Sequence, residues 1–165
     1  MAILKVKNCT GKYQDSAALH NVIKYIMDEK KTRGVYVGSC AVADCGNADT
    51  EMSILSRLAN KDDGVRLRHF IISFDPEILP PSDPEAAFAI SREIADYYGD
   101  EYQIVYAMHV NKGYLHTHFV MNQVSYITGK KYSGSRTGFY DFLSHCQQVF
   151  VKYGVNDTVS YSYRD

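Results

Sequence analysis

Polar and apolar positions alternate with two periods along this chain, and the changes of period divide it into elements. Residues 2–8 alternate as a strand does, and the chain then turns helical, with Leu19, Val22, Ile23 and Ile26 forming one apolar stripe. The spacing predicts a helix capped by Asp15 or Ser16 and running to about Lys30. Tyr25 lies roughly 110° around from the centre of that stripe at 100° per residue, so it flanks the buried side and can project into a groove. Residues 31–47 carry glycines and little periodicity and are read as a loop with one short strand. A short helix is expected over 49–60, and a turn at Asn60-Lys61-Asp62-Asp63-Gly64 leads into a strand over 66–75.

Pro80 and Pro81 break the chain, and Asp83-Pro84-Glu85 has the form of an N-cap, a first-turn proline and an acidic first turn. The helix that follows is expected to bury Ala87, Ile90, Ile94 and Tyr98 and to stop at Gly99. Residues 102–110 and 115–125 are strand-forming runs around Asn111-Lys112-Gly113-Tyr114, a hairpin signature. A last helix, about 137–153, would bury Phe139, Phe142, Leu143, Cys146, Val149, Phe150 and Tyr153 and end at Gly154, followed by a strand near 158–163. With no repeat, low-complexity segment or linker, residues 1–165 read as one α+β domain on an antiparallel sheet.

Composition narrows the classes without choosing among them. Hydrophobic residues make up 45% and charged residues 22%, an ordinary globular balance. No apolar run reaches the length of a membrane span and no signal-peptide h-region opens the chain, so a cytoplasmic protein without membrane partners is expected. Cys9, Cys40, Cys45 and Cys146 include no CxxC pair and are read as reduced, with Cys146 in a helix core. A net charge of −1 offers no general attraction for nucleic acid, so local patches must supply it. The candidates are Arg66, Arg68, Lys112, Lys130, Lys131 and Arg136, each of which is equally a solvated surface charge. Fourteen tyrosines without a tryptophan suit base stacking and half-wet cores alike.

Three of six histidines fall within ten residues, His109 and then His116-Thr117-His118. In a strand His116 and His118 share a face. A two- or four-residue hairpin loop sets His109 opposite His116 and Ala107 opposite His118, and all three imidazoles then converge. A three-residue loop without a bulge would turn His109 to the other side. Three convergent histidines can hold a divalent metal and leave positions open. Val120 and Asn122 continue that face, where Asn122 would orient a ligand, while Phe119 and Met121 face the core. Isolated histidines are ordinarily structural, and His20 and His145 are read so.

At these residues the sequence resembles the mobilization relaxases of the HUH endonuclease superfamily. The run MHVNKGYLHTHFVMN (108–122) is similar to the family's third motif, which maps the metal ligands onto His109, His116 and His118. Thr117 stands where the family has a hydrophobic residue, and Asn111 where it usually has aspartate. ALHNVIKYIMDEKKT (18–32) is similar to the first motif, which makes Tyr25 the nucleophile. RHFIISFDPE (68–77) resembles the second, with His69 and Ser73 as its polar members. His69 would contact the phosphate or stand behind the metal ligands, unless it is structural.

The resemblance implies about five antiparallel strands in an RRM/ferredoxin-like palm, with helices mainly on one side and a metal site open on the other. It implies strand-specific nicking and rejoining of single-stranded DNA at an origin of transfer through a 5′-phosphotyrosine. The cofactor would be Mg²⁺ or Mn²⁺, although three imidazoles prefer Zn²⁺ or Ni²⁺ in a purified sample. Accessory mobilization proteins and a coupling protein are the expected partners. Tyr13, Tyr36 and Tyr132 are rival nucleophiles by composition. A replication initiator or transposase of the same superfamily, which usually places its tyrosine after the histidines, and a non-catalytic metal or DNA-binding module are the alternative functions.

Overall fold

A computed structural model describes residues 1–7 and 10–162, so Cys9 and the outermost positions of the expected first and last strands lie outside the described residues. The elements are β1 (Ala2–Lys7), α1 (Thr10–Gln14), α2 (Ala18–Ile26), α3 (Glu29–Thr32), β2 (Val37–Cys40), a 3-10 turn (Cys45–Asn47), α4 (Ala48–Leu58), β3 (Leu67–Ser73), α5 (Pro84–Gly99), β4 (Tyr102–His109), β5 (His116–Ser125), α6 (Arg136–Lys152) and β6 (Val159–Ser162). Six strands form one sheet in the order β2-β4-β5-β3-β1-β6. Every neighbouring pair is antiparallel except β1 with β6, which run parallel. The expected α+β class stands, with one strand more than the resemblance implied.

Alternation along the strands decides what each face meets. Phe70, Ile72, Ile104, Tyr106, Met108, Phe119 and Met121 point to one face and form a core with α5 and α6. There the Phe70 and Phe119 rings stack at 4.6 Å between centroids, and Phe142 meets Phe70 edge-on at 5.1 Å. Leu67, Val105, Ala107 and Val120 point the other way and pack under α2 and α4 through Leu19, Val22, Ile23, Ile26 and Met52. Helices therefore lie on both faces, not mainly on one. The strong apolar stripe of α2 requires a sheet surface to bury it, and the histidine-bearing face supplies that surface.

Two helix boundaries differ from the pattern's expectation. The first helix starts at Ala18 without a side-chain cap, because Asp15 spends its carboxylate on the Ala17 amide at 2.7 Å within the preceding turn. It also ends at Ile26, because Asp28 opens a new short helix by accepting from the Lys30 amide at 3.0 Å. The stripe's period gave no sign of that break, since both halves are helical. Helix α1 has no periodic pattern to reveal it. Asp83 occupies the cap position of α5, yet its side chain makes no cap bond; Pro84 in the first turn leaves one amide fewer without a helical partner.

Candidate metal centre and its flanking tyrosine

The hairpin delivers the expected register. His109 pairs with His116 and Ala107 with His118, and across the next strand Ser73 pairs with His116 and Ile71 with His118. The ladder stops at the histidine pair and does not continue through Val110 and Leu115. Their backbones are taken elsewhere: the Val110 amide donates to the Lys31 carbonyl at 2.8 Å, and the Leu115 carbonyl accepts from the Phe74 amide at 2.9 Å. The turn is thereby tied to α3 on one side and to the end of β3 on the other.

One ring nitrogen from each of His109, His116 and His118 lies within 4.8 Å of the other two, and all three side chains are buried. The hydrogen bonds select which nitrogens are left for an ion. His109 Nε2–H donates to the Ile26 carbonyl at 2.8 Å, a carbonyl left without a helical partner by the break after α2. His118 Nδ1 lies 2.9 Å from His69 Nε2, and His69 Nδ1 lies 2.8 Å from the Tyr13 hydroxyl. When His118 uses Nε2 as a ligand atom, its Nδ1–H donates to His69, which then donates to Tyr13. Metal-binding histidines are ordinarily oriented in this way through their second nitrogen. His116 Nδ1 is buried without a hydrogen-bond partner, a costly state that an ion would relieve. The donor set thus fits a divalent metal.

Electrostatics agree with that chemistry. Burial, reinforced by neighbouring positive charge, pulls His116 down to about 4 and His118 to about 2, and burial also lowers His109. His69 falls to about 3, through burial first and then the charges of Lys7 and Lys12. At neutral pH these rings are neutral and keep the lone pairs a metal requires.

Tyr25 stands at the rim of this group. Its ring meets His118 edge-on at 5.9 Å and His109 at 6.1 Å, and the residue is 53% exposed, so an incoming substrate can reach it. Lys31 Nζ sits 3.8 Å from the ring centroid, a cation–π contact that restrains the phenol. The rival tyrosines are engaged elsewhere. Tyr13 lies behind His69, Tyr36 donates to Glu85 at 2.9 Å from the opposite core, and Tyr132 lies under Arg68 in contact with that same core. A tyrosine that the composition did not single out, Tyr114, has its ring 5.2 Å from His116.

The remaining expected residues are distributed more widely. Ser73 is brought beside His116, and His69 behind His118. Asn122 is not brought to the centre: its oxygen accepts from Ser56 and the Val124 amide, and its nitrogen donates to Met52 and Gln103, which ties α4 to the sheet. Lys112 lies in the hairpin turn, where its charge reaches His116. Lys130 and Lys131 follow the far end of β5, with Lys131 Nζ bonded to the Asp63 carbonyl. Arg66 donates to the Gln14 carbonyl at 3.3 Å, Arg68 stacks on Tyr132, and Arg136 opens α6 on the opposite face. His20 pairs with Asp49 at 2.8 Å, and His145 donates to the Glu93 carbonyl at 3.3 Å. Cys40, Cys45 and Cys146 are free thiols, with Cys146 buried.

Lys7 and Lys12 were missed by the sequence reading, although both bear on His69; the strand alternation that places Lys5 and Lys7 on one face was the available signal. None of the described helices is long and apolar enough to cross a membrane.

Comparison with known proteins bears on what this geometry serves. The family described as relaxase, MobA/VirD2-like, nuclease domain, matches residues 25–155. Protein rlx of Staphylococcus aureus is 32% identical over 79 residues, covering 48% of this chain and 24% of that protein. The group II intron-interrupted relaxase LtrB of Lactococcus lactis subsp. cremoris is 34% identical over 73 residues, covering 44% of this chain and 13% of that one. The chain therefore spans a quarter or less of the length of these relatives. Among solved structures, a MobM relaxase domain bound to plasmid pMV158 oriT DNA, in a Mn-bound crystal, superposes with a TM-score of 0.65 at 12% identity, covering 95% of this chain and 88% of that one.

Proposed function

We propose, given that this chain belongs to the MobA/VirD2-like relaxase nuclease-domain family, that it cuts and rejoins one strand of DNA at an origin of transfer through Tyr25. The observation that carries the reading is the meeting of three buried, neutral imidazoles with an exposed phenol whose ring lies 5.9 and 6.1 Å from two of them. A divalent ion on His109, His116 and His118, Mg²⁺ or Mn²⁺ in use, would supply positive charge to the phosphate oxygens as the pentacoordinate transition state forms.

The chain's own groups do the rest. The Ile26 carbonyl and His69 fix two of the three rings, so little reorganisation remains when substrate arrives. Lys31 restrains the Tyr25 ring. The Tyr25 oxygen forms a bond to phosphorus as the bond to the 3′ oxygen breaks; the phenol loses its proton to solvent and the departing oxygen gains one. The products are a 5′-phosphotyrosine and a free 3′-hydroxyl. Because the ester retains the bond energy, the same hydroxyl can reverse the step and reseal the strand.

Lys112, in the turn beside His116, would contact a phosphate next to the cleaved one. Arg66, Arg68, Lys130, Lys131 and Arg136 would meet only DNA farther along. Accessory mobilization proteins would present the site, and a coupling protein would receive the product. The MobM domain's oriT DNA and Mn support the choice of substrate and ion. The family match favours a relaxase over a replication initiator, and the phenol beside the imidazoles favours chemistry over a purely structural metal site.

The test is incubation with labelled origin-of-transfer oligonucleotides and Mn²⁺, followed by denaturing electrophoresis. The parent should form a denaturant-resistant adduct. Tyr25→Phe should form none while binding Mn²⁺ as before, and an adduct persisting in that variant removes Tyr25 from the reaction.

A further inference from the structure

Beside the metal centre the histidine-bearing face emerges from under α2 and continues onto β3 and β1. The register places Ser73, Ile71 and His69 along β3 and, opposite them, Ile3, Lys5 and Lys7 along β1. Lys5, Lys7, Ile71 and Ser73 are only half-buried. At one end a cleft of about 370 Å³ is lined by Lys7, Lys12, Tyr13, Tyr25, His69, Ile71 and His118. At the other a shallow hollow of about 500 Å³ is lined by Ile3, Ser73, Tyr114 and Asp75, whose carboxylate is paired with the Met1 ammonium. From Ile3 to Lys7 the strip runs about 13 Å at the rise of a strand, the span of roughly two extended nucleotides.

Its charge is uncompensated in a chain whose net charge is −1. Among the described residues, no carboxylate forms an ion pair with Lys5, Lys7 or Lys12, whereas Lys31, Lys131 and Lys152 each have one. The fields of Lys7 and Lys12 reach the buried His69 ring, so these ammonium groups bear on the metal-centre side. Tyr114 closes the far end, 38% exposed, with its ring 5.2 Å from His116 and Lys112 Nζ 5.9 Å away. A lysine row ending on an accessible aromatic ring is what an unpaired strand requires: cations for the phosphates and a flat surface for a base.

We infer that the β1–β3 strip, with Lys5, Lys7 and Lys12 along it and Tyr114 at its end, is the seat of the single strand flanking the cleaved phosphate. The inference rests on the nicking reading and adds the path of the strand past Tyr25. A second cavity, of about 840 Å³, also includes Tyr25 in its lining, but Asp28, Glu29 and Asp49 line it alongside Lys24 and Lys31. Its mixed charge fits a phosphate chain less well.

The test measures binding of a twelve-nucleotide oligo-dT in EDTA, so that no metal–phosphate contact contributes, over a range of salt. A Lys5→Gln, Lys7→Gln, Lys12→Gln variant should bind at least about tenfold more weakly, and its dependence of log K on log salt should be shallower by about 2. Tyr114→Leu should weaken binding by about fivefold or more without changing that slope. Lys24→Gln, in the other cavity, should match the parent, as should circular dichroism of every variant. Equal affinity and slope in the triple-lysine variant, weakening by Lys24→Gln alone, or equal binding of the oligo-dT·oligo-dA duplex would each overturn the inference. If oligo-dT binds through the strip while the adduct assay fails with every metal, the strip stands and the nicking reading falls.

Discussion

The two faces of the β3–β5–β4 sheet are built from alternate residues of the same strands and bury them nearly equally, yet they do opposite things. On one face Phe70 and Phe119 stack under α5 and α6. On the other, His69, His109, His116 and His118 are buried beside α2, with His69 bonded through both nitrogens and the other three rings each keeping a nitrogen unused. The first arrangement gains stability from burial. The second gives some up, because its imidazoles are held neutral, and what it obtains is a preorganised set of donors.

The widest separation between the faces should come from Phe119→Ala. Loss of a fully buried, stacked ring is expected to cost about 3–5 kcal/mol in urea unfolding and to lower metal affinity only as far as folding itself is lost. A large affinity change in the still-folded variant would break the division. Next is acid. The four histidines have folded values below the unfolded 6.5, so the unfolded chain binds more protons between those values. Their contribution is complete above pH 6.5 and is lost progressively as pH falls through the folded values, about 4 for His116, about 3 for His69 and about 2 for His118. Metal-free protein at pH 5 should be less stable than at pH 7.5 by on the order of 2 kcal/mol or more, and an unchanged urea midpoint would contradict buried neutral rings.

His69→Phe should preserve most packing but leave His118 Nδ1 without its partner. Calorimetric Mn²⁺ affinity is then expected to drop by about 10–100-fold. The smallest effect is expected at Thr117, which sits between two histidines in sequence but points to the opposite face, bonded to Ser91 at 2.7 Å. Thr117→Val should cost about 1 kcal/mol of stability and leave metal affinity unchanged.

Thr117, a hydroxyl where the resemblance expects a hydrophobic residue, finds a buried partner in Ser91 on α5. More generally, what was legible depended on period and register. The hairpin register and the convergence of His109, His116 and His118 followed from counting alternate residues around one turn. The stripe of α2 was likewise plain, and with it Tyr25 at the stripe's edge. The break at Asp28 was not, because a helix ending and restarting keeps its period, and that break frees the Ile26 carbonyl for His109. The second covering of the sheet by α2 and α4 was hidden because periodicity says that a face is buried, not against which surface. Asn122 misled for the same reason: its face was right, but Ser56 and Met52 on α4, together with Gln103 and the Val124 amide in the sheet, take up its hydrogen bonds. Lys7 and Lys12 act on the site only through the fold, from a strand two places from the histidine strand β5 and from a helix that carries no pattern.

The most direct test of the account is to trap the covalent product with Mn²⁺ and an origin-of-transfer oligonucleotide, digest it, and locate the attached nucleotide by mass spectrometry. A phosphotyrosine at Tyr25 is expected, and it should disappear when His109, His116 and His118 are all replaced by alanine. A nucleotide carried on Tyr13, Tyr36, Tyr114 or Tyr132, or one still on Tyr25 without the histidines, would contradict it.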